Sequence, residues 1–183
     1  MKFIIQAITQ LSGLTFLKLF IHLYVVITDT FNFMENNELK LGAEKDFAVP
    51  VEKLYQAWIT PEDLKQWWKP SENHLTTVNL DVREGGKFKY EFEGKDHQIA
   101  LAITGDYKEV KPNEKLMYSW NWDIPTDTIK PSDHELTIEF VANGDGSKIK
   151  VTQKNFQDDE SITPHQEGWD KALNDLQAYL NQK

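Results

Sequence analysis

The sequence predicts an α+β domain: a curved antiparallel sheet of six to seven strands wrapped around a long C-terminal helix, with two short helices after the first strand. Three observations carry this. The chain closes on SITPHQEGWDKALNDLQAYLNQK, where Trp169, Ala172, Leu173, Leu176, Tyr179 and Leu180 recur at steps of three and four and form one apolar stripe. Nearly everything before it alternates with a period of two, the mark of strands with one wet face. The buried parity is rich in large rings: Phe88, Tyr90, Phe92, Tyr118, Trp120, Trp122 and Phe140.

Taken in order, Leu39 to Val49 reads as the first strand, stopped by Pro50, which fixes φ and cannot donate to a ladder. Val51, Leu54, Tyr55 and Trp58 then have helical spacing. Thr60-Pro61-Glu62-Asp63 restarts a second short helix with a cap, an N1 proline and an acidic third position. Leu64, Trp67 and Trp68 form its apolar face, and Pro70 ends it. Trp67 and Trp68, one helical step of about 100° apart, are expected to face different ways, one anchoring the helix and the other bordering a cavity mouth.

Strands follow. Thr76, Val78 and Leu80 share one parity. After a Gly85-Gly86 turn, so do Phe88, Tyr90 and Phe92. Ile99, Leu101 and Ile103 run towards Tyr107, and Leu116, Tyr118, Trp120 and Trp122 make the next strand. Leu136, Ile138 and Phe140 lead to Asn143-Gly144-Asp145-Gly146, a hairpin signal, with Ile149 and Val151 beyond it. Thr163, Pro164 and Gln166 supply an N-cap, an N1 proline and a capping-box Gln for the last helix. A helix of roughly 20 residues is about 30 Å long and needs a broad apolar surface to lie on. The whole is a helix-grip architecture.

Composition sets bounds on function. At 183 residues, the chain is expected to be one domain plus an extension. A formal charge of −9 argues against nucleic-acid or anionic-membrane partners, because phosphate contacts need clustered Lys and Arg. With no cysteine, disulfides, thiolate metal sites and a cysteine nucleophile are excluded, and a cytoplasmic location is expected. Residues 1–33 stand apart as an apolar N-terminal extension, ahead of a single domain at 34–183. Leu11 to Ile27 is broken only by Lys18 and His22. Three readings stay open: a mis-called translation start, since Met34 directly precedes the first patterned strand; a short membrane anchor; or a signal peptide lacking a small-x-small cleavage site. A membrane enters as a partner only if residues 1–33 are an anchor.

Searches for catalytic and metal chemistry return little. His22, His74, His97, His134 and His165 show no ligand spacing, so no metal and no cofactor is expected, and all five read as surface or half-buried histidines. Asp145 lacks the other acidic positions of a calcium loop. The glycine pairs lack the Lys-Ser/Thr of a phosphate loop, and Gly-x-Ser-x-Gly is absent, so no catalytic residue is named. A single acid–base group at a cavity wall stays open, with Glu44, Asp46, Asp96, His97 and His134 as candidates. The apolar face of the last helix is expected to hold no ionisable group beyond the phenol of Tyr179.

Four stretches, VPVEKLYQAWITPEDLKQWWKP, DVREGGKFKYEFEG, GDYKEVKPNEKLMYSW and GWDKALNDLQAYL, stand in an order that resembles the START/birch-pollen-allergen-like (SRPBCC) superfamily. Within it, the chain is most similar to the branch related to the C-terminal domain of activators of heat-shock protein 90 ATPase. The likeness covers about residues 40–182, with Trp67-Trp68, Gly85-Gly86 and Gly168-Trp169 as its marks. It implies seven antiparallel strands around the final helix, with a cavity between them that commonly takes lipids, sterols, polyketides or other apolar molecules. Some members are enzymes. The eukaryotic co-chaperones that give the branch its name carry an extra N-terminal domain, for which this chain is expected to have no room.

The candidate ligand-binding residues are Trp68, Tyr90, Phe92, Leu101, Tyr118, Trp120, Trp122, Phe140, Trp169 and Leu173. Their inward parity suits a pocket for a small hydrophobic ligand, lipid-like or aromatic. It equally suits rings that only fill the core, and alternation does not separate the two. A chaperone-associated or stress-response module, with a heat-shock protein 90 homologue as partner, is the alternative. An enzyme acting on small apolar compounds is a third.

Overall fold

Seven strands form one antiparallel sheet in the order β1-β7-β6-β5-β4-β3-β2. They are β1 (Leu41–Phe47), β2 (His74–Leu80), β3 (Lys87–Glu93), β4 (Ile99–Lys111), β5 (Lys115–Asp123), β6 (His134–Asn143) and β7 (Gly146–Lys154). The helices are α1 (Val51–Ile59), α2 (Pro61–Trp67) and α3 (Ile162–Leu180). The computed structural model describes residues 39–69, 73–123, 134–156 and 162–183. The translation-start, anchor and signal readings of residues 1–33 fall outside these, as does Pro70. Among the described residues, no helix is long and apolar enough to cross a membrane.

Only neighbours in the strand order are paired, and β1 and β2, consecutive in sequence, lie at opposite edges. The chain between them crosses the sheet as α1 and α2. Thr60, extended at φ −96° and ψ 120°, is the C-cap of the first helix and the N-cap of the second. Helix α1 packs against β6 and β7, α2 against β2, and α3 against β1 and α2. The sheet's inner face, α1, α2 and α3 share one core, which includes Leu54, Phe92, Leu116, Leu136, Ile138, Ile149 and Leu176. Asn143 pairs with Gly146 around Gly144, whose φ of +60° suits the glycine of a two-residue hairpin.

Three local expectations change. The capping box at the start of α3 is not made: the helix begins at Ile162, and Gln166 Nε2 donates to Asp170 Oδ1 at 3.1 Å instead. Thr60 makes no side-chain cap bond at the start of α2, and Asp63, the acidic third position, is turned to the end of α3 instead. The Asp63 carboxylate receives the Tyr179 hydroxyl at 2.5 Å and Lys183 Nζ at 2.7 Å, tying α2 to the end of α3. Trp67 and Trp68 do not face apart. Helix α2 ends at Trp67, and Trp68 leaves it with ψ 98°, so both indoles turn into the core and stack at 5.8 Å.

Candidate functional site

Strand register builds the sheet side of a cavity. Phe92 on β3 stands opposite Leu101 on β4, and Ile103 on β4 opposite Trp122 on β5. Trp120 lies two residues before Trp122 on the same face. Over them lie Trp68 and the first turns of α3, which contribute Pro164, His165, Gly168, Trp169 and Ala172. The cavity is partly open and its volume is about 70 Å³. At roughly 30 Å³ per water in the liquid, that is room for a few waters, well under the roughly 300–1,000 Å³ of most ligand sites.

Six of the ten predicted residues line this cavity: Trp68, Phe92, Leu101, Trp120, Trp122 and Trp169. The other four are packed in the core outside its lining. Phe140 meets Tyr55 and Trp58, with ring centroids 5.2 and 6.1 Å apart. Tyr118 meets Phe88 and Tyr107 and receives the Trp58 N–H at a long 3.4 Å. Tyr90 stands edge-on to Trp68 at 5.0 Å. Leu173 is buried in the same core. Where α1 covers β6 and β7, large rings from both layers fill the gap. Where α2 stops and α3 begins, the gap stays partly open.

Indoles dominate the walls. Trp68 stacks on Trp120 at 5.7 Å and on Trp169 at 6.4 Å, and Trp169 stacks in turn on Trp58 at 6.2 Å. Such stacked pairs add roughly 0.5–1.5 kcal/mol each beyond their buried area. Trp67 is anchored by donating to Ala57 O at 2.9 Å. Trp68 also forms the boundary with an outer groove of about 270 Å³, lined by Trp68, Lys69, Pro164, Glu167, Gly168, Lys171 and Ala172.

The polar part of the site was missed in the sequence. Gln153 on β7 is fully buried; its Oε1 accepts the Trp169 indole N–H at 2.9 Å, and its Nε2 lies 3.0 Å from His165 Nδ1. An indole nitrogen only donates, so the oxygen of Gln153 must face Trp169 and its NH₂ must face His165. His165 therefore accepts at Nδ1 and carries its proton on Nε2. Burial first, and the nearby His134 second, lower its pKa to about 4, so the ring is neutral at pH 7 and acts as a donor rather than a base. His134, whose ring lies 5.1 Å away, is oriented by its Nδ1 contact with Lys154 O at 3.1 Å. The expectation that α3's apolar face carries no ionisable group beyond Tyr179 thus fails at His165. Both misses were legible: Gln153 shares parity with Ile149 and Val151, and His165 lies one turn before Trp169.

None of the acid–base candidates Glu44, Asp46, Asp96, His97 and His134 lines the cavity. Glu44 and Asp46 pair with Lys148 on the outer surface, and His97 is exposed in a turn. Burial holds the phenols of Tyr90, Tyr107 and Tyr118 above their usual range, so they stay protonated. Among the described residues, no group of three or more His, Asp or Glu is placed to hold a metal ion.

A curled antiparallel sheet closed by a C-terminal helix, with a ring-walled space between them, defines a helix-grip protein of the SRPBCC superfamily. Residues 48–181 match the family described as Activator of Hsp90 ATPase homolog 1-like protein, and the chain belongs to that family. Solved structures agree. Protein CV1439 from Chromobacterium violaceum is 26% identical with a TM-score of 0.67, over 76% of this chain and 94% of that one. The AHSA1 protein from Silicibacter pomeroyi is 26% identical with a TM-score of 0.65, over 79% and 99%. The AHSA1-like protein from Aeromonas hydrophila, at 21% identity over 79% and 93%, has a TM-score of 0.67. No curated protein matches the chain.

Proposed function

We propose that this chain is a non-enzymatic binding protein for a small hydrophobic ligand, held between the sheet and α3. The observation that carries this reading is the partly open cavity among Trp68, Phe92, Leu101, Trp120 and Trp169, in a core otherwise filled by rings. Its volume of about 70 Å³ is too small for a lipid chain, and a single aromatic ring enters only as the surrounding indoles give way, since a cavity that holds benzene measures about 150 Å³. The superfamily's common use of this space for apolar ligands supports the same reading. A cysteine-free chain fits action in the cytoplasm.

The family's description also names Hsp90 ATPase activation. Against a docking role, Ile99 and Val141 are the only exposed large hydrophobics among the described residues, and they lie on separate strands, β4 and β6. The test is a tryptophan-fluorescence titration of the full chain with single-ring aromatics and with fatty acids, beside native mass spectrometry of the purified protein. Saturable binding of the aromatics is expected. No response to any apolar compound, with a changed ATPase rate when the protein is added to a heat-shock protein 90 homologue, would overturn the reading in favour of the chaperone role.

A further inference from the structure

We propose that the ligand of this cavity carries an uncharged carbonyl oxygen, received by the indole N–H of Trp120 with the Nε2–H of His165 as a second donor. This rests on the ligand-binding reading above and adds the ligand's polar chemistry to it.

The first observation is a contrast within one aromatic cluster. Trp58, Trp67 and Trp169 donate their indole N–H groups to Tyr118 Oη, Ala57 O and Gln153 Oε1. Trp120, 2% exposed and part of the cavity wall, has a buried Nε1 with no hydrogen-bond partner among the described residues. A buried donor left bare is costly, and native cores rarely keep one without a use.

The second observation is the Trp169–Gln153–His165 chain. It fixes His165 with its acceptor nitrogen occupied and its remaining ring nitrogen as a donor, and His165 lines the same cavity. Among the described residues, the lining side chains thus present donors and no spare acceptor.

The third observation is charge. Among the described residues, no Lys, Arg, Asp or Glu lines the cavity, so they offer a buried anion no countercharge. A carbonyl oxygen has two lone pairs and no proton of its own to place. An alcohol or amine brings a donor that the lining side chains do not receive. Hydrocarbons would leave Trp120 bare.

The experiment compares three probes of similar size, acetophenone, ethylbenzene and benzoate, titrated into the ¹⁵N-labelled full chain while the Trp120 indole N–H resonance is followed. Acetophenone is expected to bind about tenfold more tightly than ethylbenzene and to move that proton downfield, as a new hydrogen bond does. In W120F the preference for acetophenone should shrink, since only the His165 donor remains. Should W120F fail to fold, the wild-type downfield shift decides. Equal binding of acetophenone and ethylbenzene without that shift, or tighter binding of benzoate, would overturn the carbonyl assignment and leave the apolar-ligand reading standing. If no probe perturbs Trp68, Phe92 or Trp169, that reading falls and the carbonyl assignment with it.

Discussion

Gln153 and Trp169 are joined inside the core: the carboxamide oxygen of Gln153 accepts the indole N–H at 2.9 Å, fixing which way the amide faces. Replacing Gln153 by Leu removes that bond and its partner to His165, and leaves a buried indole donor bare. A loss of about 2 kcal/mol is expected, read as a lower urea midpoint at unchanged slope. Unchanged stability would mean the amide contributes nothing net.

His165 makes stability depend on pH in a defined direction. Its pKa falls from 6.5 to about 4 on folding, so the unfolded chain binds the extra proton between those values. The contribution of a neutral His165 to stability is therefore complete above pH 6.5, declines as pH falls, and is gone by about pH 4. Protonation would also set His165 Nδ1–H against the NH₂ of Gln153. Among the described residues, the groups facing the ring are His134, Gln153, Trp122 and Phe156, and none is a carboxylate that would offset the charge. With screening of a partly exposed ring allowed for, the effect is about 1–2 kcal/mol. Urea unfolding from pH 7 to 4 should show this slope in the wild type and lack it in His165→Gln.

A β-carbon added at Gly168 meets nothing within 4 Å, and its φ is not left-handed. Because glycine costs a helix interior about 0.5–1 kcal/mol against alanine, Gly168→Ala should raise stability by about that amount. Gly168→Leu should put its side chain at the seam that Gly168 shares between the cavity and the outer groove. Slower ligand association at near-normal stability is the expected result, measured by stopped-flow fluorescence.

Trp68 separates the same two spaces. Trp68→Ala should cost about 3–5 kcal/mol, the usual loss for a large core ring, and merge cavity and groove. The variant should then bind two-ring compounds such as naphthalene that the wild type excludes. Fluorescence titration at low temperature, where the variant is folded, checks this.

The strands and the gripping helix were legible because period-two alternation and a 3.6-residue stripe survive any detail of packing. Trp120 and Trp122 could be placed on the inner face from parity alone. Whether they fill or line was not legible, since that depends on where opposing layers run out of bulk: Phe140 faces rings from α1, whereas Trp120 lies under the junction of α2 and α3. Trp67 and Trp68 misled because a helix that stops one residue early rotates the next side chain into the core. His165, one turn before Trp169, was legible on the inward face of α3, but isolated in the sequence it read only as a surface or half-buried histidine.

The indoles of Trp68, Trp120 and Trp169, with centroids 5.7–6.4 Å apart, are more than packing material. Chromophores that close and that fixed share their excitations. The folded protein should accordingly give a circular-dichroism couplet in its tryptophan bands that the unfolded chain lacks. Anything that slips between these rings must change the couplet, so the cavity wall carries its own optical gauge, readable without a label.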